Sequence, residues 1–147
     1  MTGQGPTLLL QPCDAQGVAL GPAQADAMPG APHWGPYLAW WGPVGKPACQ
    51  VGGGGFVQAP EHGQVEIGYF CLPACQRRGL GRLIAASLVQ RAWLWDARLT
   101  IVAQTAEPDG PAMPSASARL LAGLGFMPQA PIKGLQWWHL PPATMQA

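Results

Sequence analysis

A chain of 147 residues with a net charge of +1 has room for one compact core. With 48% hydrophobic and 10% charged residues it is neither a disordered tail nor a protein with the clustered basic face that nucleic acid requires. No run of eighteen apolar residues offers a transmembrane helix. The opening Met1-Thr2-Gly3-Gln4-Gly5-Pro6 lacks a basic region followed by an apolar stretch, so the expectation is a cytoplasmic protein, one domain over residues 1–147. Cys13, Cys49, Cys71 and Cys75 are read as free, buried thiols. The Cys71-x-x-x-Cys75 spacing has no neighbouring His or second Cys pair, so no metal site is expected.

In chain order, residues 7–11 read as a first strand. Residues 12–36 hold nine Gly and Pro breakers, which leave room for at most one short helix around residues 22–27. Residues 37–41 are aromatic and extended, Gly42-Pro43-Val44-Gly45 turns, and residues 49–57 run back. A second turn at Ala59-Pro60-Glu61-His62-Gly63 leads to a strand at 64–72, giving an antiparallel meander. Pro73 ends it. Between Gly81 and Trp95 there is no Pro or Gly, and Leu80, Leu83, Ile84, Leu88, Val89, Ala92 and Trp95 keep helical spacing. Arg82, Gln90 and Arg91 take the opposite, polar side of that predicted helix. Residues 99–105 read as a buried strand, and residues 106–114 as a Pro-rich loop. A second helix follows, with Ser115 as N-cap and Gly123 or Gly125 at its end; residues 136–140 form a last strand.

The turn into the first helix carries the strongest chemical signal. A helix start presents backbone N–H groups without intrahelical partners, and its dipole favours an anion. Gly79 and Gly81 remove two side chains there, so a diphosphate can approach the backbone, and Arg77, Arg78 and Arg82 stand beside the opening as charged donors. The same two glycines also serve simple close packing of helix on sheet. A dinucleotide fingerprint fails because Ile84 stands where its third glycine belongs. A Walker loop fails because Gly52-Gly53-Gly54-Gly55 runs into Phe56-Val57; those glycines read as a strand closely approached by another element.

Val65-Glu66-Ile67-Gly68-Tyr69-Phe70-Cys71-Leu72-Pro73 followed by Gln76-Arg77-Arg78-Gly79-Leu80-Gly81 resembles the GNAT N-acetyltransferase superfamily, whose acyl-CoA motif is Gln/Arg-x-x-Gly-x-Gly/Ala. Ser117-Ala118-Arg119-Leu120-Leu121-Ala122-Gly123-Leu124-Gly125-Phe126 is similar to its Ser-x-Arg-x-Leu…Leu-Gly-Phe helix, in the form found in the branch related to ribosomal-protein alanine N-acetyltransferases. The resemblance spans residues 37–126. It implies an α/β (α+β) fold: a mixed, mostly antiparallel sheet of six to seven strands, with splayed middle strands, flanked by helices.

The resemblance also implies the chemistry. Acetyl-CoA would be the acyl donor, and a small-molecule amine or a protein N-terminus would attack its thioester directly. Backbone groups of Phe70, Cys71 and Leu72 would meet the pantetheine arm. The segment Gln76, Arg77, Arg78, Gly79, Leu80, Gly81 and Arg82 would hold the diphosphate. An N–H near Phe70 or Cys71 would polarise the thioester carbonyl. An amine with a pKa of about 10.4 needs a base or water at neutral pH, and Glu66 is the candidate base; a structural surface carboxylate is the other reading. Nothing near Cys71 activates it as an acyl carrier.

Two departures from the family stand out. Pro114 occupies the position of a common Asn, and Met127-Pro128 follow Gly125-Phe126 where many members carry a Tyr that protonates the leaving thiolate. Ser117, also counted among the donor-binding residues, or water would take that role. The departures keep open an alternative, a non-catalytic acyl-CoA sensor or interaction module. Trp34, Tyr37, Trp40, Trp41, Trp137 and Trp138 are read as pocket wall, core or homodimer surface, and His33 and His139 as structural.

Overall fold

In the computed structural model, which describes residues 6–43, 49–106 and 115–146, seven strands form one sheet in the order β1-β2-β3-β4-β5-β7-β6. The strands are β1 (Thr7–Pro12), β2 (Pro36–Gly42), β3 (Cys49–Phe56), β4 (Gln64–Cys71), β5 (Thr100–Ala106), β6 (Met127–Pro128) and β7 (Leu135–Leu140). Two helices, α1 (Leu80–Trp95) and α2 (Ala116–Gly123), follow β4 and β5. All neighbouring strands pair antiparallel except β4 and β5, the two joined by the α1 crossover. The mixed sheet with two helices is the α+β arrangement expected from the sequence. No helix among the described residues is long and apolar enough to cross a membrane.

Burial follows the alternation of the strands. Tyr37, Gly54 and Tyr69 are successive cross-strand partners, and a Cβ at Gly54 would lie 3.2 Å from the Ile84 side chain, so this register faces α1. Leu38, Gly53 and Phe70, one residue out of phase, face away from the helix. The core lies on the α1 side, with Leu10, Ile67, Ile84, Leu88, Ile101 and Leu121 fully enclosed.

Three expectations need correction. No helix forms at residues 22–27. That stretch is extended, with Gln24 exchanging backbone hydrogen bonds with Leu10. The Arg91 guanidinium takes the Gln24 and Asp26 carbonyls, acceptors a helical turn would have used internally. For the same reason Arg91 is 6% exposed rather than on a polar face, and it lies over the Tyr37 ring at 5.8 Å. Leu83 and Trp95, assigned by spacing to the apolar face, are exposed. The short strand β6 was not anticipated; the turn at residues 44–45 and the loop 107–114, with Pro114, lie outside the described residues. The Ser115 cap is as expected, its Oγ accepting the Ala118 N–H at 3.1 Å.

Candidate functional site

The site begins where the sheet divides. β4 and β5 pair only from Gln64–Thr100 to Glu66–Val102, although β4 runs on to Cys71 and β5 to Ala106. Beyond Glu66 the two strands part, and β4 keeps only β3. In an antiparallel ladder, successive residues turn their N–H and C=O alternately to either side. The Glu66 carbonyl accepts from Val57 and the Leu72 N–H donates to Val51, so even-numbered residues of β4 face β3. The backbone groups of Tyr69 and Cys71 therefore point into the fork. Phe70 is committed to β3, and both Leu72 groups are engaged, its carbonyl accepting from Cys75 at 2.8 Å.

After β4, a 3-10 turn at Pro73–Cys75 leads to a left-handed Arg77 (φ 65°) and a left-handed Gly79 (φ 75°). This double reversal aims the α1 N-terminus at the fork. Gly79 caps α1 without any side-chain hydrogen bond, and the first turn holds no acidic residue. Leu80, Gly81 and Arg82 consequently present the free N–H groups and positive dipole end of a sixteen-residue helix. The two glycines do different work. A Cβ at Gly79 would meet nothing within 4 Å, so its backbone conformation is what matters. A Cβ at Gly81 would sit 3.2 Å from Leu120 and 3.5 Å from the Cys71 sulfur, so here the close-packing reading holds, and α2 lies against α1.

A cavity of about 790 Å³ opens between the N-termini of both helices and the end of β4. Of the residues expected to bind the donor, Phe70, Cys71, Gln76, Arg77, Gly79, Leu80, Gly81, Arg82 and Ser117 line it. Leu72 and Arg78 do not. Tyr69, Ala116, Arg119 and Leu120 line it as well and were missed. Arg119 and Leu120 lay in plain view in the second motif; Tyr69 is found only through strand parity. Among the described residues, three arginines and no carboxylate border the cavity. Arg82 also donates to the Gly123 carbonyl at 3.4 Å, tying the start of α1 to the end of α2.

Tyr69 is the unusual group. Its hydroxyl is buried without a hydrogen bond of regular geometry among the described residues. Burial raises its pKa, and the nearby Ser117 side chain only partly offsets that. Cys71 is likewise pushed up, by burial and then by Cys75, so it is held as a thiol.

Glu66 lies elsewhere. It stands at the point of the fork, on the face opposite α1, and its Oε2 accepts from Gln104 Nε2 at 2.7 Å across the split. It borders a second cavity of about 240 Å³ with Glu61, His62 and Trp137. A third, of about 530 Å³, lies further along the same face over Gly55, Gly68 and Phe70. Most of the other aromatics are structural. Trp138 donates to Thr105 Oγ1 at 3.0 Å, Trp40 to Gln11 Oε1 at 2.9 Å, and Trp34 meets Phe56 edge-on at 4.9 Å. His33 Nε2 lies 3.1 Å from the Cys13 carbonyl. No group of three or more potential metal ligands is assembled among the described residues.

No protein-family model matches the chain, and no curated protein matches it by sequence. Solved structures do match. The protein yncA of Salmonella typhimurium, described as an acetyltransferase and holding its cofactor acetyl-CoA, superposes with a TM-score of 0.54 and 22% identity, over 78% of this chain and 68% of its own. The N-acetyltransferase PseH of Campylobacter jejuni gives 0.52 and 14%, over 72% and 67%. A GnaT-family protein of Bordetella pertussis gives 0.50 and 24%, over 74% and 65%. The chain thus spans about two thirds of the length of these proteins, and has the GNAT acetyltransferase fold.

Proposed function

We propose that the protein is an acetyl-CoA-dependent N-acetyltransferase. The observation that carries this reading is the fork between β4 and β5 opening directly onto an uncapped helix start flanked by arginines. The residues fit the donor. The Leu80, Gly81 and Arg82 N–H groups and the Arg77 guanidinium suit a diphosphate, and the unpaired edge of β4 suits an amide-containing arm that adds to it as a strand would. Acetyl-CoA supplies a thioester, the electrophile of the reaction.

The Tyr69 or Cys71 N–H, directed into the fork, would stabilise negative charge on the thioester oxygen. Glu66, at the point of the fork on the opposite face, would accept the amine proton directly or through water. Ser117 and Tyr69 stand on the donor side, where the thiolate leaves. The branch related to ribosomal-protein alanine N-acetyltransferases, and a protein N-terminus or small amine as acceptor, remain part of this proposal. A cytoplasmic location and one domain over residues 1–147 belong to it too.

Calorimetric titration with acetyl-CoA tests the reading; no binding at high micromolar concentration overturns it. Thiol release on adding a primary amine then separates an enzyme from an acyl-CoA sensor, the second reading. The engagement of Glu66 with Gln104, outside the donor cavity, is what favours that second reading.

A further inference from the structure

The two cavities on the face opposite α1 differ in chemistry from the donor cavity. The 530 Å³ cavity shares Tyr69 and Phe70 with the donor cavity, so the two meet across β4 where that strand has no β5 neighbour. Its floor is the cross-strand pair Gly55–Gly68, and a Cβ at Gly68 would meet nothing within 4 Å. Leu38, Val57 and Phe70 wall it, and its one acidic residue is Asp14. At Val57 it adjoins the 240 Å³ cavity, which carries Glu61 and Glu66 beside the Trp137 ring.

Charge is sorted by face. Among the described residues, the donor cavity has Arg77, Arg82 and Arg119 and no carboxylate. The opposite cavities have, among the described residues, Asp14, Glu61 and Glu66 and no Lys or Arg. Few charges are available for such sorting: seven Asp and Glu in the whole chain. A cation is drawn to that face, and a carboxylate on the acceptor would meet three like charges and, among the described residues, no Lys or Arg.

Resting on the acetyltransferase reading, we propose that the acceptor is a primary monoamine with an apolar body and no carboxylate. Its body lies on the Gly55–Gly68 floor between Leu38 and Phe70, and its nitrogen reaches the fork beside Glu66. The amine nitrogen bonds to the acetyl carbon, the carbon–sulfur bond breaks, its electron pair stays on sulfur, and the amine proton passes to Glu66 or water.

Paired acceptors test this, each pair sharing a body: 2-phenylethylamine against phenylalanine, and tryptamine against tryptophan. With acetyl-CoA and thiol release as readout, the expected kcat/KM favours the carboxylate-free member by a hundredfold or more. Glu61→Gln and Asp14→Asn narrow that preference. Gly68→Leu, whose side chain enters free space, abolishes binding of 2-phenylethylamine by calorimetry while acetyl-CoA still binds. Equal or reversed preference within the pairs overturns the proposal, as does acetyl-CoA binding with neither amine bound nor turned over. Failure of acetyl-CoA to bind while Gly68→Leu still removes amine binding would instead overturn the acetyltransferase reading and leave this amine site standing.

Discussion

The Gln104 side-chain amide reaches across the divided sheet and donates to the Glu66 carboxylate at 2.7 Å, two residues beyond the last backbone pair between β4 and β5. The bond latches the fork at its apex and holds the carboxylate on the face opposite the helices. Glu66→Gln is expected to lower kcat by about 10²-fold, as loss of a general base does. The acetyl-CoA dissociation constant should not change, because Glu66 does not border the donor cavity. Gln104→Ala, which releases the carboxylate without removing it, should lower kcat less than Glu66→Gln. Steady-state kinetics and calorimetry on both variants check this.

Arg77 holds a left-handed conformation (φ 65°) that L-residues adopt at a cost of about 1–2 kcal/mol. Arg77→Gly removes that cost and a charged donor together. The urea midpoint should stay level or rise, while acetyl-CoA binding weakens by about 10- to 100-fold, given about 1.5–3 kcal/mol for hydrogen bonds to charged groups. A variant that lost stability and affinity together would contradict the assignment.

Tyr69→Phe deletes a buried hydroxyl that lacks a regular partner. Such a group costs about 1–3 kcal/mol when unsatisfied. The ligand-free variant should therefore melt a few degrees higher, at about 2–4 °C per kcal/mol for a protein near this size. Turnover should fall, because this hydroxyl is the phenol bordering the donor cavity. Differential scanning calorimetry and an acetyl-transfer assay read the two effects separately.

Burial raises the pKa of Cys13, Cys71, Tyr37 and Tyr69 above their ordinary values. Each is a group whose neutral form is favoured in the folded state. The unfolded chain thus ionises first, and folding stability is complete below the ordinary thiol and phenol pKa values and falls as pH rises through them. The melting temperature should hold from pH 7 to about 8 and then decline above the thiol range, near 8.5. Cys13→Ala, at the most enclosed of these thiols, should flatten the first part of that decline.

Arg91 is buried against Tyr37 and serves two carbonyls of the segment between β1 and β2. Arg91→Ala leaves a cavity and takes a donor from both carbonyls, of which only that of Gln24 keeps another, the Leu10 N–H, a loss of about 2–4 kcal/mol. Hydrogen exchange at Leu10 and Gln24, whose backbones pair through that segment, should accelerate more than exchange in β5 and β7.

Much of the fold was legible because its signals are local. The Gly and Pro punctuation, the gap in breakers from residue 82 to 95 and the Ser115 cap each act within a few residues, so the succession of strands and helices along the chain, β6 excepted, could be read in advance. Where spacing misled, a distant partner had intervened. Arg91 counted as a polar-face residue because nothing nearby in sequence predicts that residues 24 and 26 would offer it carbonyls. Leu83 and Trp95 counted as core because periodicity does not say how wide a stripe the sheet covers.

By itself the sequence determined the turn proposed to hold the diphosphate: two glycines, three nearby arginines and a helix start are properties of one continuous segment. It also narrowed the strand that delivers the turn. Only the tertiary structure decided what that strand separates. Side chains on β4 alternate between faces, so whether Tyr69 or Phe70 turns toward the helices depends on which face α1 covers. Where β5 departs depends on a pairing that stops at Glu66. The donor cradle is a local matter of free N–H groups and charge. The separation of the arginine-lined cavity from the acidic ones across β4 is the outcome of long-range strand pairing, and no single segment contains it.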